Sequence, residues 1–265
     1  MISLETPVVM GILNITPDSF YDGGSYLNLI DQLKHVEKMI SEGAGIIDIG
    51  AASTRPGVIP VSEEEEMSRL LPSLTAIRGH FNEIVISVDT YRSTVAKAAI
   101  EHGAMMINDI YGGRFDGEMF KLIARNNIPY ILMHMQGTPD NMQINPHYKD
   151  VVNEVHEFFR SRLDMVPSGF DQLILDPGFG FGKTIEHNFR LLQSFGSFSS
   201  FGFPLMAGIS RKSMINRVLQ IRPQEALNGT TVLNTIALLQ GANILRVHDV
   251  KEAVETVKLV KAYGQ

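Results

Sequence analysis

A closed barrel of eight parallel strands, each followed by a helix, is the α/β fold that the sequence predicts. Three observations carry that prediction. Eight short apolar runs are spread over the 265 residues, each stops at a polar residue, and helical patterns fill the intervals. Runs this short, bounded by Gly and Pro, read as strands buried on both faces. Eight β/α units in a chain near the roughly 250 residues typical of the fold suit a (β/α)8, or TIM, barrel, with a doubly wound open sheet as the structural alternative. Residues 1–265 read as a single domain with no linker-like or low-complexity stretch.

The strands follow in order. Residues 8–13 end at Asn14, Ile46-Ile47 at Asp48, 84–88 at Asp89 and 105–107 at Asn108. Residues 130–133 end at His134, 173–175 at Asp176, 204–209 at Ser210 and Ile244-Leu245 at Arg246. Between the first two, a helix is predicted over 29–41, where Leu29, Leu33, Val36 and Ile40 repeat with the spacing of one helix face. Ser62-Glu63-Glu64-Glu65-Glu66 opens the next helix as a capping box, Ser62 at the N-cap and Glu65 at N3. Its acidic first turn suits the helix dipole rather than marking a cation site. Further helices are predicted over 93–102, 117–126, 150–165, 186–194, 212–218, 225–240 and 250–263.

Composition removes several classes of function. With 44 % hydrophobic and 20 % charged residues the chain is a packed globule, not a disordered one. It holds no Cys, so a disulfide framework, a thiolate zinc site, an iron–sulfur cluster and a cysteine nucleophile are excluded together. The net charge of −6 argues against nucleic acid and requires any anionic ligand to sit in a local cationic pocket. The first residues lack the basic region of a secretory signal, and apolar stretches stop short of the ~20 residues that span a bilayer. A soluble protein of the cytoplasm, with no membrane partner, is expected.

In a barrel, chemistry gathers at the C-terminal strand ends. Asn14, Asp48, Asp89, Asn108, Asp176, Ser210, Arg246 and His248 are expected there. Strand alternation puts Ser87 with Asp89, Asn108 with Ile110, Ile174 with Asp176, and Arg246 with His248. Asp89, Asn108 and Asp176 offer acceptors from non-adjacent strands. They suit a flat heterocycle with adjacent N–H donors, such as an aminopyrimidinone edge, because a carboxylate takes two parallel N–H bonds. Capping of the next helix is a fair alternative for Asp48, less so for Asp176. Arg246, His248 and Ser210-Arg211-Lys212 follow strands 7 and 8, the common phosphate corner of this fold. Strand 1 closes beside strand 8, so Asn14 can hold Mg2+ through its carbonyl oxygen, the ion keeping most of its waters and taking phosphate oxygens. A polyphosphate is therefore the natural ligand of Asn14, Arg246 and His248.

Gly178-Phe179-Gly180-Phe181-Gly182-Lys183-Thr184 has three residues between Gly178 and Gly182 where a phosphate-binding P-loop has four, and it is rejected as one. Phe179 and Phe181 flank a ring or belong to the core. Residues 18–24 and 53–57 read as lids hinged on Gly and Pro, or as ordinary solvent loops, and Arg55 can follow negative charge onto the site. His134 reads as a satisfied core histidine and the 13 Met as core filler. Neither GxSxG nor HExxH occurs.

Asn14-Ile15-Thr16-Pro17-Asp18-Ser19-Phe20 resembles the opening signature of the dihydropteroate synthases. Ser53-Thr54-Arg55-Pro56-Gly57, Ser87-Val88-Asp89-Thr90, Ile107-Asn108-Asp109-Ile110, residues 175–184, Ser210-Arg211-Lys212 and Arg246-Val247-His248 continue it in family order over nearly the whole chain. The resemblance implies a TIM-barrel transferase of folate biosynthesis. Such an enzyme joins p-aminobenzoate to 6-hydroxymethyl-7,8-dihydropterin diphosphate, giving 7,8-dihydropteroate and pyrophosphate. It implies that Asp89, Asn108 and Asp176 hold the pterin ring, with Lys212 on its carbonyl side and Ile110, Met133 and Gly208 lining the slot. Asn14 would carry Mg2+ and grip the diphosphate with Arg246 and His248. Thr54, Arg55, Pro56, Phe20, Phe181 and Ser213 would shape the p-aminobenzoate pocket, and Asp89, Lys212 and Arg55 would form the catalytic set. A homodimer through the late helices, and sulfonamides as mimics of p-aminobenzoate, are further implications. Ile15 and Tyr21 depart from the family pattern at positions expected to lie off the chemistry. A pterin-dependent methyltransferase shares the barrel but has no use for Thr54-Arg55-Pro56, Ser210-Arg211-Lys212 or a diphosphate grip. A non-catalytic pterin carrier would have lost Lys212, Arg55 or His248, and all three are present.

Overall fold

The computed structural model describes residues 4, 6–16, 28–52 and 61–264. The strands are β1 (Val8–Asn14), β2 (Ile46–Gly50), β3 (Val85–Asp89), β4 (Met106–Asp109), β5 (Tyr130–Met133), β6 (Leu173–Asp176), β7 (Met206–Ala207) and β8 (Ile244–Val247). They form one parallel sheet in the order β6-β5-β4-β3-β2-β1-β8-β7. A parallel bridge from Leu175 to Leu205 joins its two ends, which closes the barrel and rules out the open sheet. The seventh strand is shorter than the expected 204–209. Pro204 has no N–H to donate, and the Leu205 N–H goes to Asn243 Oδ1 at 2.9 Å, so only Met206 and Ala207 pair as strand.

Helices α1 (Leu29–Ser41), α2 (Glu63–His80), α3 (Ser93–Glu101), α4 (Met119–Asn126), α5 (Val151–Leu163), α6 (Ile185–Gln193), α7 (Ser213–Leu219), α8 (Leu227–Leu239) and α9 (Val250–Tyr263) fill the intervals. Ser62 caps α2, its Oγ accepting from Glu65 N at 3.2 Å. The Glu65 carboxylate pairs with Arg69 instead of completing the expected box. Helix α4 starts two residues later than expected: its N-cap is Glu118, and the turn before it is held by Asp116 Oδ1, which accepts from the amides of Glu118 and Met119.

Outward strand residues pack against the helices in one continuous core. Inward residues stack in layers. Met10, Ile46, Met106, Ile131, Ile174, Met206 and Ile244 form a separate apolar plug inside the barrel. Two residues further along, on the same strand face, stand Ile12, Asp48, Asn108, Met133, Asp176, Gly208 and Arg246. The apolar plug thus closes the barrel below and leaves the polar layer facing the mouth.

Candidate active site

Register sets the site. Asn14 pairs with Gly50, Gly50 with Asp89, and Asp89 with Asn108, so one rung carries three polar side chains across four strands. A cavity of about 720 Å³ opens above it. Asn14, Asp89, Asn108, Ile110, Met133, Asp176, Phe181, Gly208, Lys212, Ser213, Arg246 and His248 all line it, which brings together every described residue that the family resemblance nominated. Phe20, Thr54, Arg55 and Pro56 lie outside the described residues, as do both proposed lids.

Asp48 is not a helix cap and not at a strand end. It sits mid-strand in β2, fully buried, with Arg246 Nε donating to its Oδ2 at 2.6 Å and Asn108 Nδ2 at 3.0 Å. Arg246 Nη2 donates to Asp89 Oδ2 at 2.9 Å. A guanidinium carries five N–H donors, and these bonds use two of them. The two carboxylates hold the Arg246 guanidinium above its usual range even though burial works the other way. Because Asn108 spends its amide N–H on Asp48, its Oδ1 is left buried and, among the described residues, without a partner. That is an acceptor waiting for a donor, since a buried polar atom left unpaired is costly.

Asp176 is buried at the end of β6, its Oδ1 accepting from Gly178 N at 2.8 Å. Burial raises its pKa, and Lys212 and the Gly178 amide oppose that rise. Burial also raises the pKa of Asp89, against the pull of Arg246. Lys212 is pushed down to about 8 by burial, with Asp176 opposing. Its Nζ donates to Phe179 O and lies 4.7 Å from the Phe181 ring centre. Gly208 keeps the floor open: a Cβ there would meet Lys212 Nζ at 3.7 Å and Asp176 Oδ2 at 3.9 Å. Ser210 Oγ accepts from His248 N at 3.2 Å and lies 3.0 Å from its Nδ1, fixing the imidazole at the phosphate corner.

Sequence reasoning missed part of the wall. Met142, Gln143 and Pro146, in the interval between β5 and α5, line the cavity, and so do Glu186 and Arg217 at its rim. The sixteen-odd residues between Met133 and Asp150, far longer than a usual ~2–6-residue βα loop, were the available signal. Arg211 does not join the lining; its guanidinium pairs with Asp249. His134 is the satisfied core histidine expected, buried with Nδ1 2.9 Å from Lys183 Nζ.

An acceptor array beside a cationic corner, at the mouth of a (β/α)8 barrel, defines a binder of a flat N–H-rich ring bearing an anionic tail. Residues 10–248 match the pterin-binding enzyme family. The dihydropteroate synthase of Escherichia coli (strain K12) is 47 % identical over 264 residues, 98 % of this chain and 93 % of that one. The enzyme of that name from Haemophilus influenzae is 42 % identical over 98 % of this chain and 95 % of its own. The Yersinia pestis dihydropteroate synthase, solved with a sulfonamide drug complex, superposes with a TM-score of 0.95 at 44 % identity, covering 99 % and 96 % of the two chains. The Xanthomonas albilineans synthase, solved with 4-aminobenzoic acid, gives 0.90 at 37 % identity, covering 99 % and 95 %. The chain belongs to the dihydropteroate synthase family.

Proposed function

We infer that the protein joins p-aminobenzoate to 6-hydroxymethyl-7,8-dihydropterin diphosphate, releasing pyrophosphate and forming 7,8-dihydropteroate for folate synthesis. The observation that carries this reading is the meeting of Asp176, Asn108 Oδ1 and Asp89 with Lys212, Arg246 and His248 in one cavity. The carboxylate of Asp176 and the amide oxygen of Asn108 accept from the N–H edge of the pterin, and Lys212 donates to its carbonyl side. Arg246 and His248 neutralise the diphosphate as the bond from the pterin methylene carbon to oxygen breaks. The electron-rich ring and nearby Asp89 stabilise the positive charge left on that carbon. The arylamine nitrogen then forms the new C–N bond and loses a proton, so no covalent enzyme nucleophile is needed. A sulfonamide, imitating p-aminobenzoate, competes for the same subsite.

Mg2+ fits this corner as an ion carried mostly by substrate and water. Among the described residues no group of three or more His, Asp or Glu is placed to hold a metal. Asn14 Oδ1, a hard neutral oxygen, stands 3.4 Å from the point a Cβ would occupy on Gly50, and Asp89 Oδ2 stands 4.0 Å from it. When bound, Mg2+ supplies charge neutralisation to the departing diphosphate. Asn14 would be its protein ligand.

A cytoplasmic homodimer completes the proposal. A chain without cysteine supports the first part. Among the described residues no helix is long and apolar enough to cross a membrane. Val232, Leu239, Leu259 and Tyr263, exposed on α8 and α9, support the second. The test follows pyrophosphate release with Mg2+ and the pterin diphosphate, with and without p-aminobenzoate. Release that depends on p-aminobenzoate and matches dihydropteroate formed is expected. Tight pterin binding with no condensation would point to a carrier or a methyltransferase and overturn the reading.

A further inference from the structure

The glycine-rich turn that resembles a P-loop is built in the opposite sense. A phosphate-binding loop presents its amides to an anion; this turn is fastened by its carbonyls. Lys212 Nζ donates to Phe179 O, Gln143 Nε2 to Gly180 O, and the Tyr148 hydroxyl to Gly182 O at 2.9 Å. Lys183 reaches back under the turn, its Nζ donating to Gly178 O at 2.9 Å and Phe181 O at 3.0 Å. Its third close partner is His134 Nδ1 at 2.9 Å, on the chain leaving β5. An ammonium has three N–H donors, and here three acceptors stand within 3.0 Å of a side chain only 3 % exposed. Burial, reinforced by the Lys183 charge, keeps His134 neutral and able to accept.

The turn has no slack elsewhere. Gly178 and Gly182 adopt φ of +71° and +63°. A Cβ on Gly178 would fall 1.9 Å from His134 O, and one on Gly182 2.5 Å from Gln136 O. The turn therefore lies flush against the chain after β5, and the aromatic ring it presents to the cavity is that of Phe181, with Gly180, Lys183 and Thr184 also on the wall.

We propose that Lys183, seated on His134, is a positioning residue for the arylamine subsite, holding the Phe181 ring at the angle that p-aminobenzoate requires. This rests on Phe181 belonging to that subsite. The Phe181 ring meets Lys212 Nζ at 4.7 Å from its centre, and its backbone is held by Lys183, which binds the carbonyls of Phe181 and of the residue that starts the turn. Losing Lys183 frees the Phe181 carbonyl and leaves the Gly178 carbonyl only the Phe181 amide at 3.2 Å, while Asp176 keeps its own bond to the Gly178 amide. The effect is therefore expected on the arylamine and not on the pterin.

The experiment compares Lys183→Met, Phe181→Ala and the double variant by steady-state kinetics, by calorimetry with the pterin diphosphate, and by amide exchange over residues 178–183. Lys183→Met is expected to raise the KM for p-aminobenzoate about tenfold while pterin affinity and kcat stay within about twofold. The double variant should bind p-aminobenzoate no worse than Phe181→Ala, because the lysine acts through that ring. Amides of the turn should exchange faster. His134→Leu, which removes the third acceptor and keeps an apolar side chain against Phe158, should raise the same KM by a smaller factor and serves where Lys183→Met fails to fold. Equal losses in pterin and arylamine binding, multiplied losses in the double variant, or a Phe181→Ala enzyme with unchanged KM would each overturn the proposal. Failure of the functional reading itself is distinguishable, since the unaltered enzyme would then form no dihydropteroate.

Discussion

Asp48 shows how a single residue can organise a site without standing at its surface. It neutralises Arg246 and takes the Asn108 amide N–H, which leaves Asn108 Oδ1 buried and without a partner among the described residues. Its partners lie 198 and 60 residues away in sequence, so no local pattern announces them. Asp89, Asn108 and Asp176 were legible because each ends an apolar run; Asp48 was misplaced because the run resumes at Ile49. Asp48→Ala leaves a buried guanidinium with one counter-charge, a loss of about 3–5 kcal/mol for a broken buried pair. Denaturant unfolding should show that loss, and calorimetry should show weaker pterin diphosphate binding. Asp176→Ala should abolish pterin binding, because no other buried carboxylate ends β6; near-normal turnover would sink its assigned role. Lys212 gives the pH dependence. Its protonated form donates, and burial has brought its pKa down to about 8. The kcat/KM for the pterin diphosphate should therefore fall as pH rises through about 8, and Lys212→Arg should remove that limb, since a guanidinium keeps its charge there. An alkaline limb that persists in Lys212→Arg would assign it to another group.

At the scale of elements, the strands and helices were legible where period alone decides them. Helix α1, with its 3.6-residue spacing, has the bounds read from sequence. Strand β7 did not, since Pro204 and the side chain of Asn243, a residue 38 positions on, remove its ladder bonds. The turn after β6 was legible as glycine-rich but not as to purpose, because besides its own Lys183 its donors come from two distant segments, Gln143 and Tyr148 before α5 and Lys212 after β7. Gly178 carries the clearest prediction. An alanine there must occupy a left-handed φ and meet His134 O at a distance no Cβ tolerates. Gly178→Ala should lower the melting temperature and cost activity at least tenfold, whereas Gly169→Ala, also at positive φ but with open space around it, should cost only the conformational strain of about 1 kcal/mol. Thermal unfolding of the two variants side by side separates the steric from the conformational penalty.

For the whole molecule, the barrel separates stability from chemistry along one axis. The apolar plug of Met10, Ile46, Met106, Ile131, Ile174, Met206 and Ile244 fills the lower interior, so the buried charges above it rest on a dry, packed floor. That layering was foreseeable from strand alternation once eight strands were counted, whereas closure through a single bridge at Leu205 was not. The outer surface carries the remaining prediction. Helices α8 and α9 pack together and leave Val232, Leu239, Leu259 and Tyr263 exposed at 50, 58, 72 and 82 %. Leu239, Leu259 and Tyr263 line a groove together with Thr231, Thr235, Thr256 and Val260, none of them charged. An apolar surface of this kind is expected to be covered by a partner, and two-fold symmetry lets one patch meet its own copy. Light scattering should give twice the chain mass, and Leu259→Glu, which places two carboxylates close to each other across such an axis, should shift the equilibrium toward monomer. The active site opens at the barrel mouth and none of these residues lines it. A dissociated Leu259→Glu variant should thus retain its turnover, and loss of activity in step with dissociation would show that the second copy contributes to the chemistry.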